Sequence, residues 1–433
     1  MNDVIDSGAS QLSSPFGLPS HPQRATALGE IHSRPFTLVR TPRAILHLAF
    51  MTEETEPARD LAVLTELCRM RGHSGPDPEA RHHTLEWGGG TLRWERHTEF
   101  TAWWWDAPAP ADFLDPLKGH PFGNGFRAPG QLISAVRLDV RPGGEDDEAL
   151  IAPFDPISLC FSEMDGGNAR AATDFRQDSD GLTRILVIDR GLGPARAGAL
   201  SQRLIEIETY RTLAMLGLPV AQALGPRLRR IQSRLAEITA ELRDGRAADG
   251  QRLLDELIER AAELEADAVA ALHRFGASRA YDEIVGQRLA AIDERPISGH
   301  ETWSAFLKRR LAPAMRTCRS VEERQANLSQ KLARAANLLR TRIDVELERQ
   351  NRDLLASMNR RARLQLRLQR TVEGLSVAAV SYYVVGLLTY LFQGAEEAGL
   401  VLDPAIAAAA SVPPVLLIIW WLVRRIRRRY DDE

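Results

Sequence analysis

The chain has 433 residues, 44% of them hydrophobic and 26% charged, with a formal net charge of -3 at pH 7. That length supports one or two cores, and the near-neutral balance removes an electrostatic case for nucleic-acid binding. Isolated Cys68, Cys160 and Cys318 exclude a disulfide framework and a cysteine zinc site, and fit a reducing compartment.

Residues 1–20 are polar, lack the apolar stretch of a signal peptide and read as a flexible tail. Residues 21–193 read as an α+β cytosolic domain on a mostly antiparallel sheet. Its strands are expected at Ala44 to Phe50, Leu132 to Val140, Ile157 to Glu163, Ala169 to Arg176 and Leu182 to Asp189, with a helix from Glu56 to Arg71. The clearest unit is a hairpin in which Gly88-Gly89-Gly90 joins His82 to Trp87 with one long strand from Thr91 to Trp105.

Residues 194–298 turn helical. One helix spans Pro194 to Leu216 and is closed by Gly217 and Pro219, a second spans Ala221 to Arg243, and a third runs from the Gly245–Gly250 reversal to about Ile292. Residues 299–374 form a stalk helix that bends or breaks at Pro313. Its apolar stripe is Leu328, Leu332, Ala335, Leu339, Ile343, Leu347, Asn351, Leu354, Met358, Ala362 and Leu366. The mean step of about 3.8 residues fits a straight or right-handed bundle, either with copies of the chain or with the preceding helices.

Two apolar segments follow, 375–392 and 404–423, each long enough to cross a hydrocarbon core and together forming a transmembrane hairpin. The 393–403 loop carries Glu396, Glu397 and Asp403 and no basic residue. Arg360, Arg361, Arg363, Arg367 and Arg370 precede the pair, and the 424–433 tail holds five further arginines. By the positive-inside rule both termini are cytoplasmic and the acidic loop is external. The lipid bilayer is thus one expected partner, and a homo-oligomer through the stalk is the other.

The chain has no P-loop, HExxH or GxSxG motif, and no enzymatic activity or cofactor is expected of it. Gly191-Leu192-Gly193 lacks the third glycine of a dinucleotide loop, and Pro194 as a first helical residue explains it equally well. A polar cluster combines His32 and Arg34 with Arg96, His97 and Glu99. On the strand, alternation puts Trp94, Arg96, Thr98 and Phe100 on one face, and Glu95, His97 and Glu99 on the other. The second set is either a metal or acid/base site or a solvated outer face. At the membrane mouth Gln365, Gln369, Glu373, Val377 and Ser381 recur every four residues, and line a pore in an oligomer or form an interfacial polar face in a monomer.

His21-Pro22 with Glu30, His32, Arg34 and Pro35, the run Glu95 to Phe100, Phe161 to Met164, Asp174 to Asp178, and Thr371 to Ser376 through Ser381-Tyr382-Tyr383 resemble a bacterial family of membrane-anchored proteins. That family carries a domain of unknown function, so the resemblance implies an inner-membrane location and supplies no activity. The order of elements is also similar to the CorA class of magnesium channels, but Tyr390-Leu391-Phe392-Gln393-Gly394 stands where that class has Gly-Met-Asn. The leading expectation is therefore an anchored scaffold, sensor or binding module. The alternative is a CorA-like homo-oligomeric cation channel with Mg²⁺ as cargo, and an anchored enzyme built on the polar clusters is the third reading.

Overall fold

Gly88 and Gly89 have φ of 58° and 77°, the left-handed region that a tight hairpin turn requires. They join β2 (His82–Trp87) to β3 (Gly90–Arg96) in a computed structural model that describes residues 37–52, 57–123, 125–144, 147–244, 250–397 and 403–430, with isolated positions 16, 18, 21, 23, 24 and 28. The other strands are β1 (Arg43–Met51), β4 (Phe100–Pro108), β5 (Gln131–Pro142), β6 (Cys160–Met164), β7 (Ala169–Thr173), β8 (Thr183–Asp189) and β9 (Arg295–Pro296). One sheet results, ordered β2-β3-β4-β1-β5-β8-β7-β6-β9. Every junction is antiparallel except β5 with β8.

The helices are α1 (Pro57–Met70), α2 (Asp147–Ile151), α3 (Pro194–Met215), α4 (Gly217–Arg243), α5 (Gly250–Ala291), α6 (Trp303–Glu397) and α7 (Pro404–Tyr430). The chain forms two compact units, residues 1–247 with 255–335 and residues 248–254 with 336–433.

In the first unit both faces of the sheet are covered. Leu64, Leu67 and Cys68 of α1 pack on Leu46, Phe50, Leu85, Leu92, Trp94, Trp103 and Trp105. Further along the same face Phe113, Ile151 and Phe154 cover Phe161, Leu186 and Ile188. The opposite face receives α3, whose Thr209 meets Ser134 of β5 at 3.3 Å while Glu208 accepts from Thr183 Oγ1 of β8 at 3.0 Å. With helices on both sides, central strands are apolar on both sides too, as β8 shows.

The long helices bury one stripe each. Leu224, Leu228, Ile231, Leu235 and Ile238 of α4 recur at three- and four-residue steps. A methyl on Gly217 would lie 2.6 Å from Ser278 Oγ of α5 and 3.2 Å from Cys318 Sγ of α6, so the glycine sits at a close meeting of three helices.

Four local expectations need correction. Thr91 to Trp105 is not one strand: it breaks at His97 to Glu99, where the His97 amide donates to Phe100 O at 2.9 Å. The strand expected from Ile157 starts at Cys160, because Asp155 draws residues 155–158 into a turn. Gly217 and Pro219 do not close a helix but open α4, where the proline's missing N–H falls in the first turn and costs nothing. Pro313 does not break α6, since it lies on an exposed face where water can satisfy the released carbonyl.

In the second unit Leu253, Leu254 and Leu339 are buried. Gly250 faces Ile343, whose Cγ1 would lie 3.2 Å from an added methyl. Beyond Ile343 no described residue covers Leu347, Leu354, Met358 or Leu366, each more than half exposed. Further on, α6 and α7 each carry a window apolar and long enough to cross a membrane, with only 6% of each window buried in the chain.

Candidate functional site

The polar cluster expected on the hairpin is only partly assembled. His32 and Arg34 lie outside the described residues. Arg96 stands with its Cζ 5.1 Å from the Trp94 ring centroid, on the α1 face of the sheet. His97 stacks on Phe100 at 4.2 Å between ring centroids and has Glu95 Oε2 3.9 Å from its Nε2. Glu99 turns away to α5, where it accepts from Arg274 Nη2 at 2.9 Å and Tyr281 Oη at 3.0 Å, with His273 Nε2 at 3.1 Å. Glu95 and Glu99 are both buried, so the expected solvated face is corrected: strand alternation ends at Arg96, and helices cover that side. Glu99 ties the hairpin to α5, and burial beside it pushes the Tyr281 hydroxyl up.

The same face of the sheet holds a second group of polar residues. His47 of β1 is directly opposite Trp104 of β4, with the rings 4.3 Å apart, and Arg93 of β3 lies over the far side of Trp104 at 4.8 Å. Burial, then the charges of His97 and Arg93, lower His47 to about 3, so it is neutral at physiological pH. Next to this stack is a cavity of about 140 Å³ lined by Val39, Ile45, Arg93, Trp104, Asp106 and Ser201, among others. Gly198 of α3 makes the enclosure possible, because a methyl there would lie 1.9 Å from Thr37 O. Asp106 is engaged by Arg43 Nε at 2.7 Å.

Other buried polar groups hold the fold. Asp60, in the first turn of α1, accepts from Trp94 Nε1 at 2.8 Å and Thr101 Oγ1 at 3.3 Å. Burial nevertheless raises its carboxyl to about 6, against the pull of those donors and of Arg96. Arg137, Arg141 and Arg184 surround the Phe113 ring at 5.7, 5.9 and 5.4 Å. Their donors hold the backbone of residues 110–115 and the buried carboxylate of Asp139. Asp189 Oδ1 accepts from the Gly191 and Leu192 amides at 2.9 and 2.7 Å, which occupies the turn that superficially suggests a dinucleotide loop. The Cys160 thiol is fully buried and pushed up to about 12, chiefly by that burial and then by Glu301.

At the apolar end, Ser381 is buried and donates to Val377 O at 2.6 Å, while Gln365 and Gln369 are exposed and Glu373 is half-buried. Asp403 caps α7 by accepting from the Ala405 amide at 3.0 Å. Glu396 is exposed near the end of α6, and Glu397 is the last residue of that helix. Arg424 and Arg425 lie over Trp420 and Trp421 at 4.9 and 5.1 Å. Among the described residues no group of three His, Cys, Asp or Glu side chains gathers as a metal site.

Residues 19–430 match the family described as Protein of unknown function (DUF3422). The chain belongs to that family. No curated protein matches it. In this DUF3422 chain the features that sequence reasoning missed are His47, Asp60 and the cavity beside Trp104. The signal for the first was a histidine set between Leu46 and Leu48 in an otherwise apolar strand.

Proposed function

We propose that this DUF3422 protein is a membrane-anchored binding module, with the sheet domain on the cytoplasmic side and the α6–α7 segment as its anchor. The exposure of the apolar windows carries this reading. Leu375, Tyr382, Leu387, Leu391, Ile406 and Leu417 are each 64% to 77% exposed, a surface too apolar and continuous for water. A core helix of a soluble protein would have such residues covered. Arginines at 360–370 and 424–429 flank the pair and the loop between lacks basic residues, which favours both ends inside and residues 393–403 outside. Reporters fused at residue 433 or before Leu375 should read as cytoplasmic, whereas a tag at Gly394 should be reached only from outside. A cytoplasmic Gly394 tag would refute this orientation.

A CorA-like cation channel is the second reading, favoured by α6, which runs from Trp303 into its apolar window as one helix and leaves its stripe unpartnered after Ile343. It requires copies assembled in parallel with Glu373 residues brought together, a crowd of carboxylates that binds a cation or loses charge. Against it, Ser381 is covered within one chain. If the channel reading holds, liposomes carrying the protein pass Mg²⁺, and Glu373→Gln lowers the flux several-fold without changing the domain's melting. Flux equal to empty liposomes would remove it.

A further inference from the structure

The cavity beside Trp104 contains two hydrogen-bond donors with nothing to bond. Trp104 is 7% exposed and Ser201 1%, both line the cavity, and neither Trp104 Nε1 nor Ser201 Oγ has a partner among the described residues. Folded proteins satisfy nearly all such groups, so a pair of orphans on one cavity marks a place where something else supplies acceptors. An indole N–H only donates, which fixes the sign of the group that must face it. Asp106, the one carboxylate of the lining, is taken by Arg43. The Arg93 guanidinium lies against Trp104, with its Nε 3.2 Å from the buried Glu95 carboxylate, so the two charges balance and the sign of the site is left to the two unpaired donors.

The rest of the lining sets the body of the ligand. Val39, Ile45 and the Trp104 ring are buried and apolar. At about 140 Å³ the cavity approaches the size of an engineered cavity of about 150 Å³ that holds benzene. Thr37 and Thr84 are exposed at its rim and leave a way in. We propose that this cavity binds a small monocarboxylic acid with an apolar body of about benzene size, its two oxygens accepting from Trp104 Nε1 and Ser201 Oγ. The site lies wholly in the sheet domain and with α3, so it stands or falls independently of how the chain meets the membrane.

The test uses the full chain in lipid nanodiscs, with benzoate as the probe and benzamide as its neutral counterpart. The indole N–H resonance of Trp104, assigned by its loss in Trp104→Phe, should shift saturably with benzoate at neutral pH. Benzamide should bind at least tenfold more weakly, and Ser201→Ala should weaken benzoate at least tenfold while the Trp303 resonance stays unchanged. No saturable shift, equal binding of the amide, or a Ser201→Ala variant that binds benzoate as well as the parent would each overturn the proposal. The first result would leave ordered water as the acceptor.

Discussion

Asp60 shows how a single buried group sets a pH dependence. Its folded-state pKa of about 6 lies above the ordinary aspartate value of 3.8, so the folded state holds the proton more tightly than the unfolded chain does. Stability from this group is fully present below the unfolded pKa of about 4 and is lost as pH rises through about 6. Asp60→Asn keeps an acceptor for Trp94 Nε1 and removes the titration. Urea unfolding should show the variant gaining up to ~3 kcal/mol over the parent above pH 6 and little near pH 4. A gain that does not change with pH would contradict the assignment. His47 runs in the other direction. Its depressed pKa gives stability that is present above about 6.5 and lost as pH falls towards 3.

At the scale of the element, α6 divides its own stripe. Leu328, Leu332 and Leu339 are buried, whereas Leu347, Leu354 and Met358 are not, and the change falls where α5 begins at Gly250, facing Ile343. Leu332→Asp places an unpaired charge in a closed seam and should cost ~3–5 kcal/mol, lowering the melting temperature sharply. Leu347→Asp should leave the melting of the sheet domain nearly unchanged, and should reduce assembly, measured as mass by light scattering, if copies meet along the exposed stripe. Unfolding by Leu347→Asp would show that the residue is covered within one chain.

That stripe illustrates what a sequence can carry. Periodicity marks Leu332 and Leu347 as equals because it reports only which side of a helix is apolar, and not what lies opposite. The sheet was legible for a similar reason, since period-two runs and the Gly88-Gly89 turn are local signals. The break at His97 was not legible, because nothing local distinguishes the run Trp94 to Phe100 from a continuous strand, and the partners of Glu99 lie far along the chain on α5. The cavity was invisible for the same reason: it is made by β1, β3, β4 and α3, and depends on Gly198 letting the backbone at Thr37 approach.

For the whole molecule, the proposed arrangement puts the exposed apolar windows of α6 and α7 in a bilayer with the sheet domain inside. Outside a bilayer, large apolar side chains along residues 375–392 and 404–423, Leu375, Leu391 and Leu417 among them, are left open. The other features of the unit agree with this placement. Trp420 and Trp421 with Arg424 and Arg425 form the aromatic and basic border expected at a cytoplasmic interface. The most direct measurement is cysteine labelling in intact cells after carbonate extraction has shown where the protein resides. The native cysteines, all buried, are replaced by serine or alanine, and a single cysteine is placed at Gly394 or Asp431. The protein should stay in the membrane pellet, and an impermeant maleimide should label position 394 but not 431 until the cells are opened. Release of the chain into the carbonate supernatant, or labelling of position 431 from outside, would contradict it.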